Sequence, residues 1–219
     1  MTIETKNTVL VVDDHPLFRK GVVQLLAMEP SIEVVGEAGN RAQALALVQQ
    51  HEPDLILLDL NLKTESGLDI LAALKAEDPS RRVVMLTVSD AADDLMGAIR
   101  AGADGYLLKD MEPEQLLDRI RAALGGETVI GEALAARLAA ALRQEAQDSA
   151  AGVRRELSQL TEREREVLKC LADGQSNKRI ARSLSITEGT VKVHVKNLLK
   201  KLGFRSRVEA AVWMAQQGH

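Results

Sequence analysis

Five side chains in the first half of the chain are of types that can handle a phosphoryl group: Asp13, Asp14, Asp59, Thr87 and Lys109. Each stands where an apolar run stops. Val9–Val12 ends at Asp13 and Asp14, Leu55–Leu58 at Asp59, Val83–Leu86 at Thr87, and Gly105–Leu108 at Lys109. Three carboxylates crowded together repel one another, which favours a bound divalent cation, and hard, oxygen-seeking Mg²⁺ suits them. Mg²⁺ would bridge Asp59 to an incoming phosphoryl group and neutralise the developing charge. The Asp59 carboxylate could then attack phosphorus in line, giving an acyl phosphate. Lys109 would pair with the phosphate, and the Thr87 hydroxyl would serve one of its oxygens. Taken singly, each residue has a plainer explanation: acids cap helices, an acid stops a buried strand, and a lysine ends one. The chemistry requires that all four strand ends share one rim.

The pattern along residues 1–127 supplies such a rim. Short β-branched or leucine-rich runs at Val9–Val12, Ile32–Ala38, Asp54–Leu60, Val83–Thr87 and Gly105–Lys109 read as strands. Between and after them, Pro16–Met28, Arg41–His51, Leu68–Lys75, Ala91–Ala101 and Pro113–Leu124 read as helices, with Pro16 near a first turn and Gly102 as a left-handed stop. Five strands alternating with five helices predict a (βα)5 doubly wound parallel sheet covered on both faces, with right-handed crossovers. The order 2-1-3-4-5 places the crevice between strands one and three, at the carboxyl ends where such sheets bind ligands.

Charge divides the chain. Residues 1–153 carry 14 Lys/Arg against 25 Asp/Glu, and residues 154–219 carry 14 against 7, within a net charge of −4. An acidic part followed by a basic one implies two domains, the second facing a polyanion and both able to attract each other. Residues 128–153 join them. Glu132–Glu145 has strong helix propensity, and Gln147–Val153 reads as a flexible tether. Aromatic residues are only 2% of the chain, so the cores are built from aliphatic side chains. The lone Cys170 excludes an internal disulfide and any cysteine zinc site, and reads as a small core side chain. No apolar run is long enough to span a membrane and Met1–Asn7 is too polar for a signal peptide, so a cytoplasmic location is expected.

Residues 154–219 fit a small all-α domain of four helices. Thr161 and Glu164 form a capping-box pattern, Ser176 caps Asn177–Leu184, Thr187 caps Glu188–Leu202, and Ser206–Gln216 closes the chain. The short turn Ser185-Ile186-Thr187 makes a helix-turn-helix, whose second helix enters the major groove of DNA. On that helix Val191, Val195, Leu198 and Leu202 form an apolar stripe, while Lys192, Lys196 and Lys200 recur at i, i+4 with Val193 beside them. Such lysines neutralise phosphates or donate to guanine edges, and Val193 can touch a thymine methyl. A solvated lysine face explains the spacing alone; the helix-turn-helix and the basic balance favour DNA.

Two resemblances follow from these motifs. Val11-Val12-Asp13-Asp14-His15-Pro16, Leu57-Leu58-Asp59 and Gly102–Lys109 resemble a response-regulator receiver domain. Leu160–Leu168, Ser176–Ala181 and Gly189–Asn197 resemble the LuxR-type DNA-binding domain. Together they resemble the NarL/FixJ class of response regulators; Gly105–Glu114 and Lys201–Trp213 are most similar to its nitrate/nitrite-responsive members. The resemblance implies that Asp59 takes a phosphoryl group from a sensor histidine kinase. It also implies that Asp14 and Asp59 ligate Mg²⁺ directly, with Asp13 through water and Asn61 through its backbone carbonyl. Thr87 and Tyr106 match the class's switch pair, in which the hydroxyl turns to the phosphate and the ring moves inward. Lys192, Val193 and Lys196 match base-edge readers, Lys178 and Arg179 are phosphate-contact candidates, and Lys200 belongs to the same DNA-facing lysine row. The expected partners are the kinase, double-stranded DNA, a second copy of the chain on DNA or when phosphorylated, and RNA polymerase. The closing helix, with Val208, Ala211, Val212 and Trp213, is the expected dimer contact, although core packing explains Trp213 equally well. The chain departs from the class where a Met-Pro pair usually follows the phosphoacceptor and Leu62-Lys63 stand instead.

This reading is of a transcriptional regulator rather than an enzyme. Two rivals remain open at this point. A phosphatase with Asp59 as nucleophile would need a second Asp two residues on, where the chain has Asn61. A DNA-binding regulator with an inactive receiver, tolerating the missing proline, would act without phosphorylation.

Overall fold

A computed structural model of the chain describes residues 6–63, 65–130 and 157–216. The first part is a parallel sheet of six strands in the order β2-β1-β3-β6-β7-β8. In chain order these are β1 (Asn7–Val12), β2 (Ile32–Ala38), β3 (Leu55–Asp59), β6 (Val83–Thr87), β7 (Gly105–Leu108) and a short β8 (Val129–Ile130). Helices α1 (Pro16–Ala27), α2 (Arg41–His51), α3 (Gly67–Glu77), α4 (Ala92–Ala101) and α5 (Pro113–Gly125) cover both faces. The period-two alternation of a strand divides the core. Leu10, Val12, Ile56, Leu58 and Met85 face α2, α3 and α4, whereas Val9, Val11, Leu55, Leu57, Val84 and Leu86 face α1 and α5.

The expected order 2-1-3-4-5 is observed, with two additions. β8 extends the sheet by pairing parallel to β7 at Gly105↔Val129 and Tyr106↔Ile130. Gly105 is required there, because a Cβ would stand 2.5 Å from Val129 Cγ2. The loop after β3 contains a miniature antiparallel pair, β4 (Asn61–Leu62) with β5 (Glu65–Ser66). The loop folds back so closely that a Cβ on Gly67 would lie 2.1 Å from the Asp59 carbonyl oxygen, leaving room only for glycine.

The second part packs α6 (Glu162–Ala172), α7 (Asn177–Ser183), α8 (Glu188–Leu202) and α9 (Arg207–Gln216) around a separate core. The capping box forms: Glu164 N–H donates to Thr161 Oγ1 and Thr161 N–H donates to Glu164 Oε2. Ser176 and Thr187 cap α7 and α8 as their positions predict. Ser185 takes a left-handed φ of 54° in the turn between them. Val191, Val195, Leu198 and Leu202 are buried as the stripe predicts, and Cys170 packs at the edge of this core. Trp213 packs against Phe204 with ring centroids 5.5 Å apart. The expected helix at Glu132–Glu145 and the tether at Gln147–Val153 lie outside the described residues. Among the described residues no helix is long and apolar enough to cross a membrane.

Candidate functional site

The strand ends converge. β1, β3 and β7 deliver Asp13, Asp14, Asp59 and Lys109 to one rim, where the Lys109 ammonium lies 2.7 Å from both Asp13 Oδ2 and Asp59 Oδ2. The same ammonium sits 4.8 Å above the Phe18 ring. His15, which the sequence reading passed over, places Nδ1 3.0 Å from Asp14 Oδ1 and 3.9 Å from Asp59 Oδ2. Its only signal was adjacency to the aspartate pair. Asn61 N–H donates to Asp59 Oδ1 at 3.3 Å. One potential ligand atom from each of Asp13, Asp14, His15 and Asp59 falls within 4.8 Å of all the others.

Buried carboxylate oxygens normally accept hydrogen bonds. Here Asp13 Oδ2, Asp14 Oδ1 and Asp59 Oδ2 accept none, their only close partners being Lys109 for Asp13 and Asp59 and the His15 ring for Asp14 among the described residues. Three such oxygens converging from hard, anionic donors fit a divalent cation such as Mg²⁺. Burial pushes the Asp59 carboxyl up, Lys109 pulls it back only in part, and Asp13 adds repulsion. A raised folded-state value means that ionised Asp59 costs stability at neutral pH, a cost that vanishes below the unfolded value. Asp59→Asn is therefore expected to be more stable than wild type in Mg²⁺-free buffer by about 1 kcal/mol. Thermal melts against pH should show the gap closing as acid protonates Asp59; equal stability at all pH values would contradict this.

Thr87 is buried at the end of β6, and its hydroxyl accepts Ser89 N–H at 3.1 Å. The Tyr106 ring is already inside, with its hydroxyl donating to the Ser89 carbonyl at 3.0 Å. Ser89 thus links the two residues expected to act as a pair.

The residues expected to contact DNA fall into two groups by their partners in this structure. Lys178, Arg179, Val193 and Lys200 are exposed. Lys192 and Lys196 project from α8 onto the receiver, opposite the carboxyl-end rim. Lys192 Nζ pairs with Asp54 Oδ1, and Lys196 Nζ lies 2.6 Å from Asp78 Oδ2. Burial alone would raise both aspartates, but the lysine and neighbouring hydroxyl or amide donors hold them below the usual range. The contact continues along α9, where Val208 joins the core cluster of α3 and α4. Arg205 Nη1 donates to the Arg100 carbonyl at 3.1 Å, and Gly102, at φ 102°, lets the chain pass where a Cβ would meet Arg205 O at 2.9 Å. Asp54 and Asp78 carried no sequence signal for this role, since their partners lie 138 and 118 residues away.

An acidic rim on a five-helix doubly wound sheet, joined to a helix-turn-helix domain, defines a two-component response regulator, and the chain belongs to that family. The response regulator receiver domain model matches residues 9–121, and the model of the bacterial regulatory proteins of the luxR family matches residues 158–214. The chain is 51% identical over 217 residues to the nitrate/nitrite response regulator protein NarL of Escherichia coli strain K12, covering 99% of each chain. It is 51% identical over 209 residues to NarP of the same strain, covering 95% of this chain and 94% of that one. Among solved structures, the response regulator ChrA of a heme-sensing two-component system matches at TM-score 0.51 and 31% identity, covering 97% and 98%. A LuxR-family regulator from Aurantimonas matches at TM-score 0.59 and 28% identity, covering 64% and 99%.

Proposed function

We propose that the chain is a phosphorylation-switched transcription regulator in which Asp59 receives the phosphoryl group of a sensor histidine kinase. It would act in the cytoplasm on nitrate/nitrite-responsive genes, as the names of its relatives suggest. Asp59 attacks phosphorus as the bond to the donor nitrogen breaks, and Lys109 stays in place to hold the new charge. Asp14, Asp59 and the Asn61 carbonyl would hold Mg²⁺, with Asp13 acting through water, and the ion would supply neutralisation of charge on the phosphoryl oxygens. Thr87 exchanges its bond from Ser89 for one to the phosphate, and that exchange moves the Ser89 carbonyl that Tyr106 holds. In this reading residues 1–127 form the receiver, 128–153 the connection and 154–219 the DNA-binding domain.

The observation that carries the switch is the pairing of Lys192 and Lys196 with Asp54 and Asp78. Two of the three side chains expected to read base edges, Lys192 and Lys196, are committed to the receiver while Val193 stays exposed, so the closed form cannot lay α8 in a major groove. Phosphorylation needs only to shift a two-state balance towards release. Released domains would then pair as homodimers through α9, whose Val208 is covered in the closed form, and could contact RNA polymerase. Intact-mass measurement with a small-molecule phosphodonor tests the first step. Wild type should gain one phosphoryl group only with Mg²⁺ present, and Asp59→Asn none; equal labelling of both would reject Asp59 as the acceptor.

A further inference from the structure

One residue reaches the acidic pocket from outside it. Lys63 stands at the turn between β4 and β5, and its backbone N–H donates to Asp14 Oδ2 at 3.1 Å. Its ammonium lies 3.8 Å from the same oxygen, on a side chain that is 70% exposed. The other Asp14 oxygen faces the exposed His15 ring, with Nδ1 at 3.0 Å, so Lys63 is the cation on the second oxygen of that carboxylate. Glu65, the nearest acid along the chain, accepts the Arg41 N–H through Oε2 at 3.3 Å. Both parts of the contact depend on the residue type. Proline, usual at this position in the class, has no N–H to donate and carries no charge.

We infer that Lys63 is a built-in competitor for the divalent cation, holding an Asp14 oxygen by its ammonium and weakening the pocket's affinity for Mg²⁺. The inference rests on reading Asp14 as a metal ligand. Two cations drawn to one carboxylate oppose each other, so metal entry is favoured when the ammonium swings away, and its high exposure makes that motion easy. The same exposure keeps the effect moderate and salt-sensitive, since charges in water are screened within about 10 Å at 0.1 M salt. Lys63 would therefore tie phosphorylation to the free Mg²⁺ concentration, slowing it when the metal is scarce and leaving it unchanged at saturation.

Titration calorimetry of Mg²⁺ into the unphosphorylated full-length protein, without phosphodonor, tests the inference. Lys63→Gln removes the charge and keeps the N–H, and should bind Mg²⁺ about threefold more tightly than wild type at low salt. Lys63→Pro removes both and should bind about tenfold more tightly. The Gln variant and wild type should converge as salt rises. Lys63→Gln binding no tighter than wild type at low salt overturns the inference, even if the Pro variant folds poorly. Asp14→Asn is the control for the underlying reading. If it retains wild-type Mg²⁺ affinity, the metal assignment of Asp14 fails; if it loses that affinity while Lys63→Gln changes nothing, only the role of Lys63 fails.

Discussion

Replacing Asp54 and Asp78 together by Asn should raise the affinity of the unphosphorylated protein for operator-length duplex DNA about tenfold at low salt. The substitutions remove the charges that hold Lys192 and Lys196 while sparing the local fold. Asp54 Oδ2 accepts from Thr8 N and Oγ1, and Asp78 Oδ1 from Ser80 N and Oγ, bonds that an amide oxygen can keep. Each ion pair is partly exposed and contributes a modest amount, roughly 0.2–1 kcal/mol, so two pairs together shift the balance by roughly two- to thirtyfold. The gain has a ceiling, because DNA affinity cannot rise beyond the ratio of closed to open molecules. Phosphorylated protein, already open, should change little. Fluorescence anisotropy with labelled duplex measures both states. An unchanged affinity in the unphosphorylated double variant would mean that these contacts do not restrain the DNA-binding domain.

Replacing Lys192 and Lys196 together by Ala should weaken DNA binding by the phosphorylated protein about a hundredfold, each lysine contributing about 1–2 kcal/mol. The same change loosens the closed form, so the difference between phosphorylated and unphosphorylated protein should narrow from both sides. Lys178→Ala with Arg179→Ala provides the contrast. Those side chains are exposed and make no ion pair among the described contacts. Their loss should weaken both states by a similar factor and flatten the salt dependence by about one to two units of slope. If the two pairs behaved alike, the double duty assigned to Lys192 and Lys196 would be wrong.

Most of the receiver was legible because its signals are local or periodic. Apolar runs that end in Asp, Thr or Lys fixed both the strands and the rim residues, and the sheet order then brought Asp13, Asp59 and Lys109 together. The caps at Thr161, Ser176 and Thr187 were equally readable, since a capping side chain acts within three residues of itself. Other features left no such trace. β8 and the β4–β5 pair are two residues per strand, too short to display a period. His15 was hidden beside stronger residues. The contacts of Asp54, Asp78 and Val208 join elements more than a hundred residues apart, and a charge balance of opposite sign in the two parts predicts attraction without saying which side chains meet. Asp54 stands at the boundary of a strand pattern, and Asp78 contributes to the sequence pattern only through the acidic charge balance of residues 1–153.

The central claim is that the state of Asp59 governs whether α8 is free for DNA. Its most direct test is the affinity for operator-length duplex, measured against salt, with and without a small-molecule phosphodonor and Mg²⁺, in wild type and Asp59→Asn. The account predicts that phosphodonor tightens wild type and steepens its salt dependence, as Lys192 and Lys196 become available to the duplex. The Asp59→Asn variant should not respond at all. Equal binding by both proteins under all conditions would contradict the claim and leave a DNA-binding regulator whose receiver does not gate it.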